Sequence, residues 1–414
     1  MSEWMRLGTC AVIQKGKPPM PLGGDGKNAE PYLNPEYLRG QSSAVMARAR
    51  TDSVRAHSGD TVLLWDGSNA GEFFRAKVGL VASTMARISQ VGSFRSDYFF
   101  HALKNSEHYL RSQTNGTGIP HVDREVLESI TLFCPDSEVQ GVVATVLDTL
   151  DTAIHETEAL IAKLKAVKQV LLHDLLTRGI DANGELRPPQ SEAPCLYKPS
   201  TLGWIPKEWQ DSLAEAEFHI DAGITLGSHR VPRRRPTKYL RVANVYRNRL
   251  AIEDVASLEA SESEARLKAL EVGDLLMVEG HASTSEIGRC AIADERVRGM
   301  VFQNHLFRLR CMRLLPDFGL LWLNSDYSQS YWRREAATSS GLNTINRTKL
   351  RCLGVALPPS AEQALIASRA RAIATRIHCE ARILGKLKTE RSGLMNDLLT
   401  GRVRVTPLLD AATA

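Results

Sequence analysis

Lys163-Leu164-Lys165 and Asp174-Leu175-Leu176-Thr177 are written a second time, 223 residues later, as Lys386-Leu387-Lys388 and Asp397-Leu398-Leu399-Thr400. The same offset lays residues 99–177 over 322–400 without a gap. It sets Arg111 on Arg334, Gly118 on Gly341, Leu127 on Leu350, Pro135 on Pro358, Gln140 on Gln363 and His155 on His378. A chain that repeats itself folds as two similar halves with an internal pseudo-twofold. Such a body suits a target read in two parts, and nucleic acid is the commonest target of that kind.

The repeated stretch is helical in pattern. Val143, Leu147, Leu150, Ile154, Ile161, Leu164, Leu171 and Leu175 recur at steps of three and four or their multiples. That is the seam of a coiled coil rather than a broad globular face. Ala370, Ile373, Ile377, Leu384, Leu387, Leu394 and Leu398 form the same seam in the second copy. At 1.5 Å per residue each helix is about 57 Å long. Two apolar stripes of equal length are satisfied by antiparallel pairing, with a globular unit at each end. Polar breaks fall at equivalent places, Thr157 with Glu380 and Lys168 with Arg391. Polar residues in a seam penalise slipped pairings, so these breaks are expected to help fix register.

The rest of the chain divides around the helices. Residues 1–135 read as one globular domain, with strands at Thr61-Val62-Leu63-Leu64-Trp65 and Ile130-Thr131-Leu132-Phe133. Residues 136–178 form the central helix. Residues 179–200, with Gly179, Asn183-Gly184, Pro188-Pro189, Pro194 and Pro199, read as a linker. A second domain covers 201–357, with strands at Leu275-Leu276-Met277-Val278 and His305–Arg310. The distal helix covers 358–401 and a tail 402–414. The expected class is α+β: two globular domains joined by two long helices in an antiparallel coiled coil.

Length and composition set bounds. At 414 residues the chain exceeds one typical domain. No apolar run reaches the 18 residues of a membrane span, and Met1-Ser2-Glu3-Trp4 does not open a secretion signal. Seven scattered cysteines without a Cys-x-x-Cys pair argue against a disulfide framework or a metal site and fit a cytoplasmic protein. A net charge of +5 is compatible with a polyanion partner but decides nothing alone. Catalytic signatures are missing: there is no phosphate-cradling Gly-x-x-x-x-Gly-Lys-Ser/Thr and no Gly-x-Gly-x-x-Gly. The Asn/Asp-Pro-Pro-Tyr string with which amino-methyltransferases grip a base is missing too. Histidines 101, 108, 121 and 155 have no evident ligand partners and read as structural or surface residues.

The strongest local signal is basic. No Asp or Glu occurs between Ala222 and Ile252, while the stretch carries Arg230, Arg233, Arg234, Arg235, Lys238, Arg241, Arg247 and Arg249, with Tyr239 and Tyr246 interleaved. Guanidinium forks suit phosphate oxygens and the O6/N7 edge of guanine. The first domain has a thinner set: Lys15, Lys17, Arg39, Arg48, Arg50 and Arg55. The halves differ most where a ligand would be read and least in the helices.

Several strings resemble the specificity subunit of type I restriction–modification enzymes over essentially the whole chain. They are Leu202-Gly203-Trp204-Ile205-Pro206-Lys207-Glu208-Trp209, Lys238-Tyr239-Leu240-Arg241-Val242-Ala243-Asn244-Val245, Gly273-Asp274-Leu275-Leu276-Met277, Gln303-Asn304-His305-Leu306-Phe307-Arg308 and Leu357-Pro358-Pro359-Ser360-Ala361-Glu362-Gln363. Their order within a domain–helix–domain–helix repeat is more specific than any one of them. The first half departs further. Trp4, Pro31-Tyr32-Leu33 and Gly59-Asp60 stand where the second half has Trp209, Tyr239-Leu240 and Gly273-Asp274, Val139 replaces Glu362, and the segment 16–26 is unlike the second half.

The resemblance implies a non-catalytic reader of double-stranded DNA. Each domain would read half of a split asymmetric site, and the helices would set the unread spacer. The helices would also dock two modification subunits, which use S-adenosylmethionine to methylate adenine. Motor–nuclease subunits using ATP and Mg²⁺ would join for cleavage. A related phage-defence or methylation-only system would share these features. A protein-only coiled-coil scaffold would have no use for the acid-free basic stretch.

Overall fold

The structure, a computed structural model, describes residues 3–20, 29–113, 120–335 and 343–405. Gly118 and Gly341, most of the 16–26 segment and residues 406–414 lie outside the described residues. The chain forms two compact units, Met1–Leu160 with Glu380–Ala414, and Ile161–Cys379. Each holds a globular domain and parts of both long helices.

In unit 1, Glu3–Arg6 pairs antiparallel with Thr131–Cys134, just before the central helix. A four-stranded sheet follows in the order Ala11–Lys15, Met85–Gln90, Thr61–Leu64, Phe73–Arg75. A second sheet orders Val45–Arg48, Ala29–Leu33, Gly79–Val81, Arg55–Ala56. The Thr61–Leu64 strand is buried along its length, with Leu63 and Val62 in two different cores, so this strand divides the two apolar layers.

Unit 2 repeats the plan. Gln210–Leu213 pairs with Gly354–Leu357. The main sheet orders Phe218–Ala222, Leu306–Cys311, Leu275–Val278, Cys290–Ile292. Ala256–Glu259, Pro236–Leu240 and Val301–Phe302 make the second sheet. Even the parallel pair recurs, Tyr32 with Leu80 and Tyr239 with Val301. Gly16 and Gly223 end equivalent strands. A Cβ would lie 2.1 Å from Ala82 O at the first and 2.2 Å from Phe302 O at the second, so only glycine fits either place.

The strand registers correct one sequence equivalence. Glu3 lies opposite Cys134 and Gln210 opposite Leu357, so Trp4 matches Asp211 and not Trp209. Trp4 is exposed beside Phe133, whereas Trp209 is fully buried. Tyr32 with Tyr239 and Asp60 with Asp274 remain equivalent.

Gln140 and Gln363 join each domain to its helix. The Gln140 Oε1 accepts from the Arg95 N–H at 2.8 Å, and its Nε2 donates to Ser93 O at 3.0 Å and Pro135 O at 2.8 Å. Gln363 repeats the set, accepting from Leu315 N–H at 2.7 Å and donating to Pro358 O at 2.9 Å and Arg313 O at 3.5 Å. Both side chains are buried, so these bonds replace water that cannot reach the backbone groups.

The long helices span Ser137–Thr177 and Ser360–Leu398 and pack against each other. In unit 1 Arg391 pairs with Asp151 and Lys388 with Glu158, so one helix descends as the other ascends. Leu147, Leu150 and Ile154 face inward there with Leu384, Leu387, Leu394 and Leu398. In unit 2 Ile161, Leu164, Leu171, Leu175, Ile373 and Ile377 are buried or half-buried, and Leu175 and Ile366 enter the domain core. Of the polar breaks, Glu380 is buried and Thr157 bonds within its own helix, to Ala153 O. Arg391 reaches across to Asp151, an ion pair that a slipped register would break.

Residues 179–200, read from their Pro and Gly content as a linker, are folded onto unit 2. Ile180 enters its core, and its N–H donates to Glu362. Arg187, 7% exposed, forms a bidentate pair with the same carboxylate, and Tyr197–Ser200 pairs with Gly203–Pro206. Val139, the unit 1 counterpart of Glu362, instead packs against an apolar cluster that includes Val405.

Replacing Gln140 by Ala leaves one buried N–H and two carbonyls unpaired. Calorimetry is expected to show unit 1 destabilised by about 2–3 kcal/mol with unit 2 unmoved, and Gln363→Ala to show the reverse. Transitions unchanged in both variants would remove the amides from the joint.

Candidate nucleic-acid interface

The basic stretch of unit 2 sorts into anchored and free side chains. Arg230 is anchored: its guanidinium pairs with Glu264 at 2.6 Å and also donates to Glu259 O. That pairing, with Ser261 N–H and hydroxyl bonds, holds the Glu264 carboxyl down at about 2. Arg241 pairs with Asp254 at 2.7 Å. Arg247 is turned inward and donates to Asn324, Ser285 and Gln329. Tyr239, a DNA-binding candidate by its place in the basic stretch, is instead buried in a small core with Leu258 and Val301. Arg249 lies over the exposed Tyr246 ring at 4.8 Å, with Arg289 at 5.3 Å from the same ring.

Arg233, Arg234, Arg235 and Lys238 are exposed. The three arginines lie between Pro232 and Pro236, ahead of the Pro236–Leu240 strand. Acid absent from this stretch in sequence is supplied in space by the neighbouring Ala256–Glu259 strand and the helix Glu262–Leu267. The Glu262 carboxylate approaches Arg235 at 3.5 Å, both side chains well exposed.

In unit 1 the basic residues are more dispersed. Lys15 pairs with Asp66 at 2.8 Å beside the Trp65 ring. Lys17 and Arg50 share Asp52 at 4.0 and 3.2 Å. Arg55 pairs with Glu30 at 2.9 Å, and Arg48 is exposed on the Val45–Arg48 strand. Arg39 is more enclosed, paired with Glu72 over the Phe74 ring. Lys77, over the Tyr37 ring at 4.2 Å, and Arg87, donating to Arg55 O and Gln14, stand near these residues. Neither lies in a basic run, so sequence alone does not single them out. Exposed ion pairs of the Lys17–Asp52 kind contribute about 0–1 kcal/mol, so a phosphate can displace the carboxylate at little cost.

Residues 3–166 match the family model described as the type I restriction modification DNA specificity domain. The specificity subunit of the type I restriction enzyme MjaVIII from Methanocaldococcus jannaschii is 27% identical over 418 residues, covering 98% of this chain and 94% of the relative. The EcoKI specificity subunit of Escherichia coli is 23% identical over 282 residues, covering 66% of this chain and 57% of the relative. The crystal structure of a type I S subunit from M. genitalium superposes with a TM-score of 0.57 over 96% of both chains, at 14% identity. A second structure, from work on assembly and conformational transition of a type I system, gives 0.54 at 15% identity over 96% of this chain and 97% of that one. The chain is a relative of type I specificity subunits. Among the described residues no helix is long and apolar enough to cross a membrane.

The two halves of this specificity-type chain differ where domain meets helix. In unit 1 the buried His101 Nε2 lies 2.7 Å from Asp148 of the central helix and 3.0 Å from Arg75. Asp151 is close by and paired with Arg391. His101, Asp148 and Asp151 are spaced closely enough to hold a cation, but Arg75 and Arg391 already neutralise both carboxylates. The unit 2 counterpart of His101 is Asn324, which makes four hydrogen bonds, to Arg247, Asn248 and both backbone groups of Cys290. Asp148 and Asp151 become Arg371 and Ala374, and Arg391 becomes Lys168. These three residues help line a cavity of about 730 Å³ in unit 2. The ionic joint of one half is therefore a hollow in the other.

Burial lowers the His101 pKa, and Asp148 only partly offsets this. The unfolded chain therefore takes up the proton first as pH falls below the ordinary histidine value near 6.5. Stability of unit 1 is expected to fall between pH 7 and 5, and His101→Asn, which copies the other half, to flatten that part of the profile. Equal slopes in both proteins, followed by chemical unfolding, would assign the dependence to other groups.

Proposed function

We propose that the chain is the DNA-reading, non-catalytic subunit of a type I restriction–modification complex, each domain reading one half of a bipartite asymmetric site. The observation that carries this reading is the duplication of an entire domain plan on paired helices, with the halves differing most in their basic surfaces. Duplicated domains facing different base sequences need the same frame and different edges. Exposed guanidinium and ammonium groups supply sequence-independent attraction to phosphate, and base edges in the groove supply the choice.

The helices set the number of unread base pairs and dock two modification subunits. Val167, Val170 and Leu365 of unit 2 and Leu160 and Ile383 of unit 1 are apolar helix residues left exposed, which suits protein docking. S-adenosylmethionine belongs to those partners, and ATP with Mg²⁺ to the motor–nuclease subunits. The complex works in the cytoplasm, where its DNA is.

A single-molecule methylome of the native host, with and without this gene, tests the reading. Deletion is expected to erase one split asymmetric methyladenine motif. Persistence of every motif in a host whose adenine methylation is active would overturn it. Inserting one heptad into each long helix, after Leu160 and after Leu384, adds about 10 Å and keeps the seam in phase. The spacer is expected to lengthen by about three base pairs, at roughly 3.4 Å each, with both half-sites intact. An unchanged spacer would refute the ruler.

A further inference from the structure

Arg233, Arg234 and Arg235 point three successive backbone N–H groups at one side chain. The Glu259 Oε2 accepts from the N–H of Arg233 at 2.7 Å and of Arg234 at 3.0 Å, and Oε1 accepts from that of Arg235 at 2.9 Å. Glu259 ends the Ala256–Glu259 strand, which pairs with Pro236–Leu240 in the antiparallel register that sets Glu259 opposite Pro236. The carboxylate therefore comes from the sheet and the three amides from the loop leading into it. Arg230 ties down the far side of the same loop through Glu264 and Glu259 O. The three arginine side chains are left in solvent, and these amide bonds hold the Glu259 carboxyl below its ordinary range.

We propose that Glu259 is a positioning residue for DNA binding: it holds the loop backbone so that three consecutive guanidiniums are presented together to the phosphate backbone. This rests on the DNA-reading role proposed above. Successive amides turned toward one anion form a concave site that fixes loop conformation. A loop held before binding loses less freedom on binding than a mobile one, and the three guanidiniums reach phosphates in one geometry. The arrangement also explains an acidic residue at the base of a cationic loop, where attraction of DNA phosphate alone would disfavour it.

The test turns on the sign of one effect. Glu259→Gln removes a negative charge close to bound phosphate, so simple Coulomb attraction predicts tighter binding. It also replaces one acceptor oxygen with an amide donor that cannot receive a backbone N–H. Positioning therefore predicts weaker binding. With the full chain and duplex DNA, Glu259→Gln is expected to weaken binding about tenfold and to flatten its salt dependence. Amide hydrogen exchange at residues 233–235 is expected to speed up with the rest of the protein unchanged. Glu262→Gln, at an exposed carboxylate that takes no backbone bond from the loop, is the control, with affinity unchanged or raised. The triple variant R233A/R234A/R235A tests the underlying reading separately: unchanged affinity and salt slope would remove the loop from the interface. If the triple variant weakens binding while Glu259→Gln binds as well as or better than the parent, positioning is overturned. Tighter binding would then mean that the carboxylate competes with phosphate for the amides.

Discussion

Each long helix begins where a β-strand ends, and the chain must turn there with backbone groups out of reach of water. A glutamine amide meets that constraint because it accepts and donates at once. Gln140 takes an N–H from one side of the turn and supplies hydrogens to carbonyls on two sides, and Gln363 does the same. A carboxylate could not donate and an ammonium could not accept. The direction of each helix follows from this clamp, and the rest depends on that direction. The seam leucines face their partners only if the helix leaves the domain at the right angle, and Arg391 reaches Asp151 only if the seam is in register. Breaking one amide thus disturbs a local turn and also the helix pairing built upon it.

The repeat is legible in the sequence from Phe99 onward, and within the long helices its constant offset has a physical reason. An insertion in a long paired helix rotates every later seam residue, so the offset of 223 is held strictly there. Loops between strands tolerate insertion, and the offset drifts through them. It is 207 at Glu3 with Gln210 and Tyr32 with Tyr239, and 221 at Met85 with Leu306. The two domain plans are equivalent throughout, but only strand pairing reveals it. Without that register Trp4 aligns with Trp209, whereas the strands set it against Asp211. The segment 179–200 misled differently: proline and glycine announce a turn-rich path, and say nothing about whether Ile180 and Arg187 fold inward from it.

The candidate interface was half legible. Counting acids along the chain found the basic stretch but could not see acids that sheet pairing brings beside it. Arg230 and Arg241 are held by carboxylates 34 and 13 positions away in sequence, and Arg247 by groups farther still. Arg233, Arg234, Arg235 and Lys238 remain in solvent. Linear charge therefore overstated the number of free cations and located the correct loop. The buried joint of unit 1 is illegible in sequence for a related reason: His101, Asp148 and Arg391 come from three separate segments that only the fold brings together.

The frame and the surfaces obey different rules, as the reading of two unlike half-sites proposed above would require. The strand plan and the clamp glutamines repeat, since a lost buried contact costs several kcal/mol and leaves little latitude. Surface ion pairs contribute so little that they can be rearranged without endangering the fold. Lys17, Arg50 and Asp52 in one half and the loop around Arg233 in the other are two such arrangements on one scaffold. Because the amides hold the loop from below, the guanidiniums above contribute little to stability. On the proposed role they could change with the DNA sequence while the backbone that presents them stays in place.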